Sequence, residues 1–177
     1  MAQQKFLIVV DMQNDFIDGS LGTKEALAIV PGVINRVRKA REAGETVIFT
    51  LDTHEADYLN TAEGKKLPVP HCIRGTNGHA VREEILCEAK EALLLEKPAF
   101  GSLRLPALIQ ETAGENEISI ELIGLCTDIC VISNALILKA HFPEAQISVR
   151  KSCCAGVTAA AHEAALTAMA SCQIDII

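Results

Sequence analysis

Gly124-Leu125-Cys126-Thr127-Asp128-Ile129-Cys130-Val131 decides how the rest of the chain is read. Upstream lies an apolar run from Ile118 to Ile123, interrupted only by Ser119 and Glu121. Downstream, from Val131 to His141, apolar residues recur with helical spacing. The glycine separates the two, and Thr127 and Asp128 are residue types that start helices. The stretch therefore reads as a strand, a tight turn and a helix from Asp128 to about Phe142, with Thr127 as N-cap. Cys130 falls in the first helical turn. Backbone N–H groups without helical partners, and the positive end of the helix dipole, favour a thiolate there. Cys130 can thus be a nucleophile with a lowered pKa. It can also be a small buried apolar residue, as most free cysteines are, and both readings stand on this stretch alone.

Working outward, strands that end in polar residues recur along the chain. Phe6 to Val10 is a continuous apolar run suited to a buried parallel strand, and it ends at Asp11. Asp18 to Gly22 is a loop; Pro31 opens a helix that runs to about Ala43 and stops at Gly44. Thr46 to Leu51 is a second strand, followed by Asp52-Thr53-His54. A long loop then extends to about Thr76, and its prolines favour order. Gly78 to Lys90 reads as a helix, Ala92 to Leu95 as a third strand ending near Lys97, and Leu103 to Gln110 as a short helix. After the Cys130 helix come a strand from Gln146 to Val149 and a loop from Lys151 to Gly156. A helix capped by Thr158 and a last strand from Ile174 to Ile177 complete the pattern. The expected fold is a single α/β domain over residues 1–177, a three-layer α/β/α sandwich with a six-stranded parallel sheet and right-handed crossovers. Such sheets place their chemistry beyond the carboxyl ends of the strands. Asp11, Asp52, His54, Lys97 and Cys130 all fall there.

Composition narrows the classes of function. The 177 residues suffice for one sizeable core, and 49% of them are hydrophobic. The longest apolar runs fall short of the roughly 18 residues of a membrane span. The polar start Met1-Ala2-Gln3-Gln4-Lys5 leads into too brief an apolar run for a secretory signal. A net charge of −7 with scattered basic residues argues against nucleic acid as a partner. Seven cysteines without a framework spacing point to reduced thiols and a cytoplasmic setting. The mean hydropathy is slightly positive, which is compatible with a homo-oligomer.

Asp52 and His54, two apart on an extended chain, point to the same side and can reach one ion. With Glu63 and His71 from the following loop they make a mixed nitrogen and oxygen set suited to zinc, iron or manganese. From the residues alone Asp11 can equally cap a turn, and Lys97 can be solvated like most lysines. His79 and His162 have solvated or structural readings, and Cys153 and Cys154 read as structural thiols beside the site.

Taken together, Asp11-Met12-Gln13-Asn14-Asp15-Phe16, Asp52-Thr53-His54, Pro70-His71-Cys72 with Gly75-Thr76, Lys97, and Gly124 to Val131 resemble a known family. They look like the isochorismatase-like cysteine hydrolases, most of all the metal-containing nicotinamidase/pyrazinamidase branch. The likeness spans nearly the whole chain. It implies a Cys130 nucleophile, Asp11 as general base and acid, and Lys97 as third catalytic member. It also implies one divalent metal ion on Asp52, His54 and His71, with Glu63 as a further ligand. A cis peptide bond is expected at Leu125–Cys126, with the backbone N–H groups of Cys126 and Cys130 as oxyanion hole. Phe16, Leu21, Tyr58, Phe100 and Leu125 are expected to line the substrate pocket. Pro68 stands where nicotinamidases often carry an aromatic, and the chain has no Trp. The implied reaction is hydrolysis of a small-molecule amide, nicotinamide first. Another small amide, carbamoyl or ureido compound, or isochorismatase-type chemistry, is the alternative.

Overall fold

Phe6-Leu7-Ile8-Val9-Val10 forms the centre of the molecule, each residue at 1% exposure or less. The structure, a computed structural model, describes residues 3–89 and 91–177. Its strands are β1 (Gln3–Val10), β2 (Thr46–Asp52), β3 (Leu93–Lys97), β4 (Glu117–Leu125), β5 (Gln146–Ala155) and β6 (Asp175–Ile176). Its α-helices are α1 (Asn14–Ile17), α2 (Lys24–Glu42), α3 (Ala62–Lys66), α4 (Glu83–Leu86), α5 (Arg104–Ala113), α6 (Ile132–His141) and α7 (Ala159–Ser171).

All strand pairs are parallel, in the order β3-β2-β1-β4-β5-β6. The order reverses direction between β1 and β4, and a crevice opens beyond the carboxyl ends of strands at such a point. Alternate residues of β1 enter opposite cores. Phe6, Ile8 and Val10 pack with α5, α6 and α7 through Leu105, Ile109, Ala135, Leu138, Leu166 and Met169. Leu7 and Val9 pack with α2 through Val30, Val33, Val37 and Ala40. Each buried aliphatic side chain contributes about 1.5–3 kcal/mol. This is the expected three-layer α/β/α arrangement.

Strand register sets the site. Val10 lies opposite Gly124 on β4, and Asp52 opposite Lys97 on β3. Gly124 has φ +117°, and a Cβ there would lie 2.1 Å from the Val10 carbonyl oxygen. Only glycine lets β4 approach β1 this closely before the chain turns toward Cys130.

Several boundaries differ from the sequence expectation. α2 begins at Lys24, not Pro31, and the Thr23 hydroxyl caps it by accepting from the Ala26 N–H at 3.0 Å. The buried stripe of Ala26, Val30, Val33, Val37 and Ala40 runs through the proline, so burial outweighs its missing donor. The helix expected from Gly78 shrinks to α4. Its upstream backbone bonds instead to the segment after β1, with Asn14 N–H donating to the Ala80 carbonyl and Arg82 N–H to the Met12 carbonyl. The expected end of that helix, Lys90, lies outside the described residues, as do Met1 and Ala2. Lys151 to Ala155 continues β5 rather than forming a loop. Cys153 and Cys154 therefore point into opposite cores and do not line the site.

On the α2 side, Glu121 of β4 receives two bonds from Arg36, at 2.9 and 3.1 Å, and two from Arg150, at 2.7 and 3.1 Å. Burial pushes the Glu121 carboxyl up, but the Arg150 and Arg36 bonds outweigh it and hold the carboxyl below its usual range. A lowered carboxyl stabilises the fold above the ordinary glutamate pKa and loses that effect as pH falls through the folded-state value. Glu121→Gln is expected to cost about 2 kcal/mol at neutral pH. Its deficit relative to wild type should shrink below about pH 4, as read from urea unfolding at several pH values. A deficit independent of pH would contradict this.

Candidate active site and metal centre

Four strand ends converge in the crevice between β1 and β4. Asp11, with φ +48°, turns the chain directly after β1 and is fully buried. Its Oδ1 accepts from the Thr50 hydroxyl at 2.6 Å, and its Oδ2 lies 2.7 Å from Lys97 Nζ. Lys97 Nζ also reaches the Ala99 carbonyl at 3.1 Å, Asp52 Oδ1 at 3.4 Å and Cys130 Sγ at 3.5 Å. Lys97 is thus no solvated surface residue; its side chain is 0% exposed. Burial pulls its ammonium down, but Asp11, Cys130 and Asp52 more than reverse this and keep it a cation.

Cys130 lies on a π-helical turn, Thr127–Val131, that leads into α6. Cys126 takes the N-cap place, and its carbonyl accepts from the Ile129 and Val131 N–H groups at 3.1 and 3.0 Å. Thr127 is not the side-chain cap, because its hydroxyl is held 2.7 Å from His162 Nδ1. The expected lowering of the Cys130 pKa is corrected as well. Burial pushes the thiol well above its ordinary range, and the Asp11 carboxylate pushes further than Lys97 pulls back. Both effects favour the neutral thiol, and Lys97 Nζ at 3.5 Å from Sγ is the contact that opposes them. The helix end cannot offset the loss of hydration at a residue 5% exposed. Burial also raises the neighbouring Cys126 thiol to about 12. The Leu125–Cys126 peptide bond is cis, as the resemblance implies.

Next to this cluster, Asp52, His54, Glu63 and His71 bring one donor atom each to within 4.8 Å of one another. Asp52 Oδ2 is 3.0 Å from His54 Nε2 and 3.5 Å from His71 Nε2. Glu63 Oε1 is 3.7 Å from both imidazole nitrogens. Pairs of donors each about 2.0–2.2 Å from one cation stand at separations such as these 3.0–3.7 Å ones. His71 Nδ1 donates to the Val69 carbonyl at 2.8 Å, which leaves Nε2 free to ligate. The set fits a divalent ion of the zinc, iron or manganese kind. Asp52 joins the two clusters, with Oδ1 toward Lys97 and Oδ2 toward the imidazoles. Those hydrogen bonds and Lys97 overcome burial and hold its carboxyl well below the usual range.

A cavity of about 270 Å³ opens onto both clusters. Phe16, Leu21, Phe100, Leu125 and Cys126 line it, together with Leu67, Ile129 and Val157, alongside Cys130, Asp52, Glu63 and His71. Tyr58, expected in the pocket, does not line it. Its ring packs against His54 and His71 at 4.6 and 5.0 Å between centroids, and its hydroxyl donates to the Leu67 carbonyl at 2.9 Å. Tyr58 braces the two imidazoles instead. Phe16 and Phe100 are the aromatic lining residues.

Sequence reasoning assigned no role to the residues that hold this architecture. Gln13 is fully buried, and its amide clamps the Asp52 backbone, donating to the Asp52 carbonyl and accepting from the Asp52 N–H, both at 2.8 Å. Asp15 Oδ2 accepts from the Cys72 N–H at 2.8 Å and so fixes the residue after His71. His79 is half-buried rather than solvated, with Nε2 2.8 Å from the Thr53 hydroxyl. A run of amide and acid side chains directly after a buried strand was the available signal for Gln13 and Asp15.

The model of the isochorismatase domain family matches residues 5–177. A nicotinamidase from Schizosaccharomyces pombe is 32% identical over 167 residues, covering 73% of this chain and 74% of its own. A nicotinamidase/pyrazinamidase from Bacillus subtilis superposes with a TM-score of 0.85 at 27% identity, over 98% of both chains. An N-carbamoylsarcosine amidase from Thermoplasma acidophilum superposes with a TM-score of 0.78 at 27% identity, over 98% of this chain and 95% of that one.

Proposed function

The chain belongs to the isochorismatase family and is a hydrolase of amide carbon–nitrogen bonds, and from that premise we propose that it converts nicotinamide and water to nicotinate and ammonia through a thioester on Cys130. One observation carries the reading: a single apolar cavity is lined both by Cys130 and by Asp52, Glu63 and His71.

In the first half-reaction the Cys130 sulfur bonds to the amide carbon while Asp11 takes the thiol proton. The backbone N–H groups of Cys126 and Cys130 receive the oxyanion. One such donor is worth roughly 3 kcal/mol in other hydrolases. Asp11 returns the proton to the nitrogen, the carbon–nitrogen bond breaks, and ammonia leaves with a thioester behind. In the second half-reaction Asp11 takes a proton from water as its oxygen bonds to the thioester carbon. The carbon–sulfur bond then breaks, nicotinic acid is released, and Asp11 hands the proton back to sulfur. Burial raises the Asp11 carboxyl above its ordinary range, and Lys97 pulls it back toward the ionised form that a base needs and offsets charge that builds on sulfur. A divalent ion held by Asp52, His54, Glu63 and His71 would accept the ring nitrogen lone pair and draw charge from the ring.

The wall chemistry favours an uncharged substrate over a carbamoyl amino acid. Among the described residues that line the cavity none is Arg or Lys, and Asp52 and Glu63 are acidic. Lys97 is engaged by Asp11 and Asp52. A substrate carboxylate would find no Arg or Lys side chain on that wall to pair with. Ammonia release from a panel of amides tests this. Nicotinamide is expected to exceed N-carbamoyl amino acids by on the order of a hundredfold or more in kcat/KM. Chelation followed by desalting should abolish the activity, and readdition of a divalent ion should restore it. A metal-loaded protein that releases no ammonia from nicotinamide would sink the proposal.

A further inference from the structure

Asn134, in the first turn of α6, is fully buried and has no part in the reaction above. Its Nδ2 donates to the Cys130 carbonyl at 2.8 Å and to the Phe100 carbonyl at 3.2 Å. Its Oδ1 accepts from the Ser102 N–H at 3.0 Å. Two carbonyls on one side and one N–H on the other permit a single orientation of the amide. Asparagine is a poor helix former, and here its side chain spends all its polar atoms on ties outside its own turn or back to the nucleophile. The loop it grips follows β3 directly. That loop contains Ala99, whose carbonyl accepts from Lys97 Nζ at 3.1 Å, and Phe100 of the cavity wall. A Cβ on Gly101 would come within 2.5 Å of Ile137 Cδ1 and 3.3 Å of Ser133 Cβ, so the loop lies flat on α6 at the same place.

We propose that Asn134 is a positioning residue that locks the Cys130 turn to the loop that follows Lys97 and carries Ala99 and Phe100, and so holds nucleophile, cation and pocket wall in register. The inference rests on Cys130 being the nucleophile of the proposed reaction. The ties act on backbone groups of different elements, the Cys130 and Phe100 carbonyls and the Ser102 N–H. A misplacement of about 1 Å at a nucleophile lowers turnover on the order of a hundredfold. Substrate binding by an apolar wall is much less sensitive.

Asn134→Asp keeps the acceptor for Ser102 and sets a carboxylate oxygen against two carbonyls, whereas Asn134→Leu keeps the volume and removes every tie. None of the bonds made by Asn134 reaches Asp52, His54, Glu63 or His71. Both variants should bind metal as wild type does. Their kcat on nicotinamide should fall roughly tenfold to a hundredfold, with KM within about threefold. Phe100→Ala should do the reverse and raise mainly KM. Folded, metal-loaded variants with wild-type kcat, or with a loss confined to KM, would overturn the proposal. Should both fail to fold, Asn134→Thr decides, because its hydroxyl can still donate to the Cys130 carbonyl one turn back. An intermediate kcat is then expected, and wild-type kcat refutes the tie to the loop. If wild type itself releases no ammonia from nicotinamide, iodoacetamide alkylation followed at Cys130 by peptide mass spectrometry separates the two ideas. Alkylation should quicken at least about threefold in the uncharged Asn134→Leu as the turn loosens, and an unchanged rate would overturn the role of Asn134 whatever the substrate.

Discussion

Cys130→Ala is expected to remove essentially all turnover, on the order of 10⁴-fold or more, from a protein that still folds and still binds its metal. The side chain is nearly enclosed at 5% exposure, but its loss deletes a single sulfur atom from the edge of a cavity, at a cost of about 1 kcal/mol. Lys97 keeps Asp11 at 2.7 Å and Asp52 at 3.4 Å, so no buried cation is left alone. The four metal-site residues lie on other elements. Ammonia release, metal content and thermal unfolding of the same preparation read the three statements separately. Trapping wild type on a slow amide should place an acyl group on Cys130. Substantial turnover by the alanine variant would refute the covalent mechanism.

Asp11→Asn should lower turnover about 10³- to 10⁴-fold while making the thiol more reactive toward iodoacetamide. The two effects have opposite signs for one reason. Asparagine can still accept the Thr50 hydroxyl that Asp11 Oδ1 accepts at 2.6 Å, so the backbone turn is kept. It can no longer take a proton from the thiol, water, or return one to the leaving amine. The Cys130 thiol is pushed up first by burial and next by the Asp11 charge, with Lys97 opposing. Removing that charge lets the thiol pKa fall. At any fixed neutral pH a larger fraction is then thiolate beside Lys97, and alkylation quickens. Parallel loss of alkylation and turnover would contradict the expected rise, showing that the thiol needs Asp11 as its base and that the Asp11 charge does not hold thiol reactivity down.

The regular parts of the fold were legible because each is written locally. β1 closes with a run of five apolar residues that both cores bury, and its end at Asp11 is a change of residue type. Where boundaries were misplaced, a partner distant in sequence had taken over the backbone. Residues 80–82 exchange hydrogen bonds with Met12 and Asn14 and so never complete a helix. α2 runs through Pro31 because its buried face continues on both sides of the proline. The cluster of Asp52, His54, Glu63 and His71 was legible as a donor set, since ligand chemistry is a property of residue type. Tyr58 was assigned to the pocket because an aromatic near the site suits either place, and only packing against His54 and His71 separates them.

The sequence by itself determined which groups are present and at which strand ends they stand: Asp11, Asp52 with His54, Lys97 and Cys130, around Gly124 to Val131. Strand alternation and turn chemistry are local, so they need no knowledge of neighbours. Only the tertiary structure showed which way the thiol pKa is pushed. A helix N-terminus taken alone lowers it, whereas burial to 5% exposure beside a carboxylate raises it. Only the tertiary structure also set the β2–β3 register that faces Asp52 with Lys97, and gave Gln13, Asp15 and Asn134 their partners. Register, desolvation and charge–charge energy depend on distances between residues far apart in the chain, and those exist only once the sheet has formed.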